Sequence, residues 1–315
     1  MQRIPYAAIF SPPRILGSIL AQDDFSYLSE PPSKPAPGSV LLHVSCQTLT
    51  VSHIPYLAQK ILQRLGVDFV TVGGAENCCG AAQWANGDDD YERQVATLTL
   101  SGFRRVQPVQ VLSTCPDCDS HFRQYMKKQH TFEHMNVVRV FLDNAEKLKS
   151  LMKKPVNRRV IVHAHYENEA RAGDAESVRA LMNMVPGVEI IESEKARGHG
   201  NHCLVKTGRY DSTVHDDVTH AMFADARALG ADSLVVPYHG CYRQHCKRQL
   251  EYGVEVQHYL SILAEALEIP YQETFKELRL LDDIDQAMER LRPRIETHDY
   301  TVEEIRPFVQ AAIYV

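Results

Sequence analysis

The chain has 315 residues, of which 44% are hydrophobic, and its formal net charge is −6 at pH 7 with the histidines neutral. This length allows two domains of ordinary size. Lys and Arg are scattered along the chain, so neither nucleic acid nor an anionic membrane surface is expected as the main partner. No apolar run approaches the roughly 20 residues of a membrane span, and proline interrupts the first residues before a signal-peptide core could form, which together favour a cytoplasmic protein.

The first 38 residues are rich in proline, with seven prolines between Pro5 and Pro37. Proline lacks a backbone N–H and its ring clashes with the preceding helical turn, so it interrupts helices. Residues 1–38 are therefore predicted to form an extended arm that lies over a domain or a partner.

Residues 39–152 alternate between short apolar runs and longer amphipathic segments. Predicted strands are residues 39–45, 67–74 and 109–114, and predicted helices are residues 54–66, 88–106 and 116–129. Residues 136–141 are predicted as a further strand. Strands that alternate with helices indicate a parallel sheet with helices on its faces. We therefore predict an open α/β domain over residues 39–152.

Five of the eight cysteines lie in this first domain, each at or just after the end of a predicted strand; they are Cys46, Cys78, Cys79, Cys115 and Cys118. Ligands of open α/β sheets collect at the carboxyl ends of strands, so the five thiols are expected to converge. Four thiolates suffice for a zinc ion or an ordinary cubane cluster, so a fifth thiol needs its own explanation. Disulfides or buried structural thiols are the alternatives, but a C-x-x-C without a secretory leader favours metal binding or redox chemistry.

The segments Cys78-Cys79-Gly80 and Cys115-Pro116-Asp117-Cys118, with Cys46 upstream, carry a family resemblance. Their spacing resembles the CCG cysteine-rich domain of the heterodisulfide reductase B subunit and its sulfur-oxidation variants, and also of glycolate and lactate oxidase iron-sulfur subunits. The resemblance implies that the five cysteines hold a non-cubane [4Fe-4S] cluster. It also implies that Gly80 lets the backbone pass close to the cluster.

The order of segments then repeats over residues 153–268. Residues 158–166, 186–193, 231–241 and 256–268 resemble segments of the first domain at a nearly constant offset. We predict two tandem repeated, open parallel-sheet (Rossmann-like) CCG domains, with a domain boundary at residue 152. Residues 269–315 follow as a helical tail.

In the second repeat, other residues stand where the five cysteines stood: Tyr166, His202, Cys203, Tyr238 and Cys241. A five-thiolate cluster is therefore not expected there. The remaining thiols and imidazoles suit a mixed Cys/His site for zinc or an altered cluster. The candidate ligands are His202, Cys203, His239, Cys241 and Cys246, with His163, His165 and His245 near the equivalent location. The alternative is a decayed site without metal, and Cys246, about one helical turn beyond Cys241, can face elsewhere.

The segment His130-Thr131-Phe132-Glu133-His134 fits the HxxEH pattern of inverted zinc proteases. That chemistry needs both histidines on one rigid helical face, whereas this segment is predicted to be a short link between a helix and a strand. A protease is therefore not expected. The sequence also contains no Walker loop, GxGxxG or GxSxG, so nucleotide hydrolysis, standard dinucleotide binding and serine hydrolysis have no support.

Apolar residues recur at helical spacing in the tail, at Leu281, Ile284, Met288 and Leu291. Thr301 to Glu304 has the pattern of a capping box, which predicts the start of another helix. The apolar stripe is expected to pack either on the parent domain or on a partner subunit.

The resemblance implies an oxidoreductase subunit of a heterodisulfide-reductase-like complex in sulfur metabolism, which exchanges electrons with a disulfide or bound thiol. Iron-sulfur and flavin subunits are the implied partners, and the chain alone is expected to be inactive because its second cluster site is degraded. Two alternatives remain: an electron-transfer subunit of a lactate or glycolate oxidising complex, and a metal-stabilised assembly subunit without catalysis. The former is less favoured because the chain has no ferredoxin-type CxxCxxCxxxCP run.

Overall fold

The structure is a computed structural model that describes residues 6–30, 39–166, 169–198, 203 and 216–314. Two four-stranded parallel sheets organise these residues, and a third, two-stranded sheet joins β6 (Ala164–His165) to β8 (Arg197–Gly198). The α/β class is therefore confirmed. Within the described part of the chain, none of the helices has the length and apolar character that a membrane span requires.

The first sheet has the strand order β2-β1-β3-β4, and neighbouring strands are parallel. Its strands are β1 (Val40–Val44), β2 (Phe69–Gly73), β3 (Gln110–Ser113) and β4 (Glu133–Asn136). Its helices are α2 (His53–Arg64), α3 (Ala81–Ala85), α4 (Asp89–Val106) and α5 (Pro116–Ser120). The predicted start of α4 is confirmed, because the Asp88 side chain accepts a hydrogen bond from the Tyr91 backbone N–H.

The second sheet has the order β10-β9-β5-β7 and is likewise parallel. Its strands are β5 (Arg158–Val162), β7 (Val188–Ile190), β9 (Ser233–Val236) and β10 (Glu255–His258). The helices around it are α8 (Glu169–Met184), α9 (Asp216–Ala228), α10 (His239–His245), α11 (Gln249–Tyr252) and α12 (Tyr259–Ala266). When the second sheet is read from β7 to β10, its strands are the second, first, third and fourth of the four in sequence. The first sheet, read from β2 to β4, has the same order.

The connection between the sheets corrects one prediction. Residues 136–141 are not a strand: the strand is β4, and α6 (Val137–Asp143) and α7 (Ala145–Leu151) follow it. The Asn136 side chain accepts a hydrogen bond from the Val138 N–H and so caps α6. Short apolar runs rich in valine do not by themselves distinguish a buried strand from a buried helix, which explains the error. The predicted single helix at 116–129 is also divided, because α5 is followed by a π-helical turn at His121–Tyr125 and a 3₁₀ turn at Lys127–Gln129.

The structure of the N-terminal segment corrects a second prediction, that residues 1–38 form an extended arm. Residues Tyr6–Ile19 form a helix, α1, that contains Pro12 and Pro13, so this part is not an extended arm. Its C-terminal turn is fully buried at Leu16 and Ile19, and this burial outweighs the helix-breaking effect of proline. Extended backbone appears only later, where Leu28 pairs with Val72 at the edge of the first sheet. Residues 1–5 and 31–38 lie outside the described residues.

One large buried cluster extends through both halves of the chain. It includes Leu57 of α2, Leu263 of α12 and Ile313 near the C-terminus, and α2 contacts α12 directly. A smaller cluster, with Leu41 and Phe103, covers the other face of the first sheet. The two sheets therefore share the large hydrophobic core, and the first sheet has a smaller cluster of its own.

The C-terminal tail is helical, as predicted. It contains α13 (Thr274–Leu281), α14 (Ile284–Thr297), α15 (Val302–Val309) and a final turn at Gln310–Tyr314. The Thr301 and Glu304 side chains form the predicted capping box at the start of α15. Met288 and Leu291 are buried in the shared core, so the apolar stripe packs on the parent chain.

Candidate metal-binding sites

The sheet topology brings the five N-terminal cysteines to one edge of the first sheet. Cys46 begins the 3₁₀ turn just after β1, Cys78 and Cys79 follow the short turn after β2, and Cys115 precedes α5 just after β3. Cys118 lies within α5. These three strands are neighbours, and their carboxyl ends point the same way. All five thiols are free and buried.

The five thiols interact in succession, in the order Cys46, Cys78, Cys79, Cys118 and Cys115, and we call this arrangement the string. The Sγ atoms of Cys46 and Cys78 are 3.7 Å apart. Cys79 interacts with Cys118 and Cys78, and Cys118 interacts with Cys115, closely enough to shift the pKa values of Cys79 and Cys118. A string of five sulfur atoms suits a cluster of several metal atoms better than a single ion, which takes four ligands around one point.

Gly80 shapes the backbone beside this string. Its φ of +92° is in the left-handed region, and a Cβ added there would lie 3.1 Å from the Cγ atom of Glu92. Its N–H donates a hydrogen bond to the Cys78 sulfur over 3.4 Å. Both the positive φ and the crowding at Glu92 favour glycine at this position. The N–H···S bond places a donor dipole beside a potential ligand.

The thiols differ in their readiness to ionise. Donation from the Cys46 thiol, from Cys79 and from the Gly80 N–H holds the pKa of Cys78 well below its usual range. The neighbouring thiol of Cys115, then that of Cys79, and burial raise the pKa of Cys118 well above it. Five adjacent thiolates repel one another, so full ionisation of the string requires a compensating positive charge.

A buried polar and aromatic shell surrounds the string, and the sequence did not single out its members. The His43 Nε2 donates to the Asn77 carbonyl oxygen over 2.7 Å, and the His43 ring packs against Phe103 at 5.3 Å between centroids. Burial lowers the pKa of His43 to about 4. His121 and Glu92 form a buried pair at 2.7 Å. Their residue types carry no motif, so only the packing identifies them.

The second half contains a different group at the corresponding end of its sheet. His163 follows β5, His165 belongs to β6, and Cys241 lies in α10. Together with Cys203 they offer four ligand atoms that all lie within 4.8 Å of one another, and all four residues are buried. We call these four residues the His/Cys group.

Short contacts connect the His/Cys group. The Cys203 Sγ lies 3.0 Å from the His163 Nε2, 3.3 Å from the His165 Nε2 and 3.4 Å from the Cys241 Sγ. The Cys241 Sγ lies 3.3 Å from the His165 Nε2. Burial opposes ionisation of Cys241, but Cys203 and the two imidazoles outweigh it and hold the pKa of Cys241 well below its usual range.

The predicted second site is thus brought together only in part. Cys203 and Cys241 meet, and His163 and His165 provide the imidazoles; His202 lies outside the described residues. His239 begins α10 but is not a member of the group. Cys246 faces elsewhere: its Sγ lies 3.8 Å from the Arg243 carbonyl oxygen. The charged side chains that influence the pKa of Cys246 lie on or beside α13; they are Glu273, Lys276 and Arg279.

Tyr166 and Tyr238 do not join the His/Cys group either. The Tyr166 hydroxyl donates to Glu176 over 3.1 Å. The Tyr238 hydroxyl is buried 3.4 Å from the Asp174 carboxylate, and Arg171 lies over the Tyr238 ring. Arg171 also pairs with Asp117, between Cys115 and Cys118, over 2.7 Å. A buried arginine therefore connects the second half to the five-cysteine site.

The HxxEH segment does not form a protease site among the described residues. Glu133 and His134 lie in β4, and His134 is buried against the Asp119 carboxylate at 3.0 Å. His130 stacks on Phe132, with ring centroids 3.9 Å apart. The two histidines therefore do not share a helical face.

Comparison with known proteins supports the sequence resemblance. Residues 40–123, which contain the five-cysteine site, match the family model of the CCG cysteine-rich domain. The chain is 24% identical to the D subunit of dihydromethanophenazine:CoB–CoM heterodisulfide reductase from Methanosarcina barkeri, over 68% of this chain and 55% of that protein. It is 25% identical, over the same shares, to the D subunit of the Methanosarcina mazei enzyme. The chain thus spans about half the length of the curated relatives it matches, and these are D subunits rather than B subunits.

Among solved structures, the chain is similar to a hypothetical protein from Helicobacter pylori. The TM-score is 0.48 and the identity 12%, and the match covers 88% of this chain and 57% of that chain.

Proposed function

We propose that this chain is an iron-sulfur electron-transfer subunit of a heterodisulfide-reductase-like system. The observation that supports this most directly is the meeting of five buried, free thiols at one sheet edge, within the range that matches the CCG domain. The proposed ligands are Cys46, Cys78, Cys79, Cys115 and Cys118.

The donor set fits a cluster with several metal atoms. The thiols are arranged as a string without disulfides among them, and adjacent Cys78 and Cys79 can serve different metal atoms. We propose the non-cubane [4Fe-4S] type for this reason and from the cysteine spacing. When bound, such a cluster supplies one-electron transfer.

The chain's own residues would tune that chemistry. The Gly80 N–H donates to the Cys78 sulfur, and hydrogen bonds to sulfur ligands favour the reduced, more negative state. Phe103 and Phe122 pack around His43 in the wall of the site and keep water out. His43 stays neutral at physiological pH because burial lowers its pKa to about 4, so its ring adds no formal charge to the wall.

The substrate and partners follow from the relatives. The matched proteins are named as subunits of a heterodisulfide reductase, and we extend this to a sulfur compound, a disulfide or bound thiol, as the redox partner. Iron-sulfur and flavin subunits would deliver or accept the electrons. Because the His/Cys group has only two thiols, the chain offers one five-thiol site, and we propose that it works only in a complex.

Anaerobic purification with analysis of iron and acid-labile sulfide tests the proposal. We expect about four irons and about four sulfides per chain. Cys79→Ser should abolish the visible absorption of the cluster, whereas Cys246→Ser, which removes a buried thiol outside the site, should preserve it. A protein without sulfide, or a spectrum that survives Cys79→Ser, would refute the proposal.

A further inference from the structure

We propose that the His/Cys group, His163, His165, Cys203 and Cys241, is a mononuclear zinc site that is separate from the five-cysteine site. Two thiols and two imidazoles are a donor set that zinc commonly takes in structural sites. The proposal rests on geometry in the second half and does not depend on the cluster in the first half.

The distances fit ligands placed around one ion. Zinc–sulfur bonds of about 2.3 Å and zinc–nitrogen bonds of about 2.0 Å in a tetrahedron place the ligand atoms roughly 3.3 to 3.8 Å apart. The four short contacts in the His/Cys group span 3.0 to 3.4 Å, at the lower end of this range or slightly below it, so a small outward shift of the ligands accommodates the ion. All the ligand atoms lie within 4.8 Å of one another, which leaves no room for a second metal atom between them.

Hydrogen bonding alone does not account for these contacts. The His163 Nδ1 lies 2.9 Å from the Ala196 carbonyl oxygen, which can only accept, so Nδ1 carries the proton and Nε2 presents a lone pair. The group then has two thiol protons and at most one proton on the His165 Nε2 for its four short contacts. A cation at the centre accepts an electron pair from each of the four ligand atoms and so accounts for all four short contacts.

The residues behind the ligands also have an arrangement that is typical of metal sites. A metal-binding histidine usually donates its other ring N–H to a carbonyl or carboxylate, which fixes its tautomer and orientation. The Ala196 carbonyl performs this role for His163. It belongs to the short 3₁₀ turn that precedes β8, and β8 pairs with the strand that holds His165. The same small sheet thus helps to position both imidazoles.

Charge also favours zinc. Two thiolates and one Zn²⁺ form a site without net charge, and a buried neutral site avoids the desolvation cost of an isolated ion. All four ligands come from the protein and are buried, so no coordination position is open to a substrate. We therefore assign the ion a structural role, in which it joins the end of β5, β6, α10 and Cys203.

The test uses the full chain, purified anaerobically from cells grown in zinc-supplemented medium. We expect about one zinc per chain by mass spectrometry. Zinc K-edge X-ray absorption of the wild-type protein should show two sulfur neighbours near about 2.3 Å and two nitrogen neighbours near about 2.0 Å. This measurement needs no variant, so it remains decisive even if variants fold poorly.

Variants locate the ion. Cys241→Ser and His163→Gln should lose at least about ten-fold in zinc affinity. Cys246→Ser and His130→Gln, which remove a thiol and an imidazole outside the group, should keep it. Absence of zinc, a Cys203–Cys241 disulfide in non-reduced peptide maps, or iron and sulfide bound by these residues would overturn the proposal. An all-sulfur zinc shell would overturn it too, since it would place zinc in the five-cysteine site and contradict the proposed cluster at the same time.

Discussion

The two halves of the chain have the same strand order but present different donors at the same edge. The first half gathers five thiols in a string, and the second gathers two thiols and two imidazoles around one point. The sheet therefore determines where the candidate ligands meet, and the two donor sets differ in the metal group that we propose for each.

The comparison also shows where the halves are not independent. They share one hydrophobic core, and Arg171 of α8 pairs with Asp117 in the Cys115–Cys118 segment. Arg171 also lies over Tyr238, beside the strand end that leads to Cys241. The two sites are thus chemically separate, but the scaffold that holds them is common.

The largest expected effect is the selective loss of one metal when a ligand of only one of the two proposed sites is replaced. Cys115→Ser should remove nearly all the iron and leave zinc at about one per chain, and Cys241→Ser should do the reverse. Metal analysis and visible spectra of both variants measure this. If either variant lost both metals while its circular dichroism stayed native, the halves would share one metal centre.

The shared core predicts a cooperative response to a change in either half. Leu57→Ala in α2 should destabilise the protein by about 2 to 5 kcal/mol, because it leaves a cavity among fully buried side chains. Urea unfolding followed by fluorescence and by circular dichroism should show one transition. Two separate transitions would mean that each sheet folds with its own core.

Gly80, beside the five-cysteine site, has a left-handed backbone conformation and lies next to a crowded side chain. Gly80→Ala should cost about 1 to 3 kcal/mol and shift the cluster potential, because the new methyl group displaces Glu92 and the N–H donor to Cys78. Gly253→Ala is the matched control, since its φ is +68° but no atom lies within 4 Å of an added Cβ. Equal costs for both variants would show that the contact with Glu92 contributes nothing.

A pH dependence is expected at the boundary between the halves. Burial, then the charge of Asp119, raises the pKa of Asp174 to about 7, although Arg139 and Asn136 oppose this shift. The folded state therefore binds this proton more tightly than the unfolded state, and the contribution is present at low pH and lost as pH rises toward 7. The free energy of unfolding should fall by at most about 1.4 kcal/mol per pH unit between pH 5 and 7.

Asp174→Asn isolates this contribution, because the amide keeps the shape of the side chain but does not titrate. The difference in unfolding free energy between wild type and variant should change with pH over this window. A difference that is constant from pH 5 to 7 would show that Asp174 is already ionised in the folded protein.

The local pattern of the sequence determined much of this molecule. Short apolar runs predicted β1, β2 and β3, because strands of a parallel sheet that is covered on both faces are buried almost continuously. The acidic capping residues at positions 88–90 predicted the start of α4. The cysteines following those strands predicted a meeting point, since parallel strands carry their carboxyl ends to one edge. The capping box at Thr301 was equally local, and the structure confirms it.

Tertiary structure decided the rest. The helix at Tyr6–Ile19 forms despite two prolines because distant residues bury its last turn, and Val137–Asp143 is helical because Asn136 caps it and the core covers it. His163 and His165, rather than His239 and Cys246, meet Cys203 and Cys241. Such choices depend on which side chains face one another across strands far apart in sequence, and neither spacing nor composition encodes that orientation.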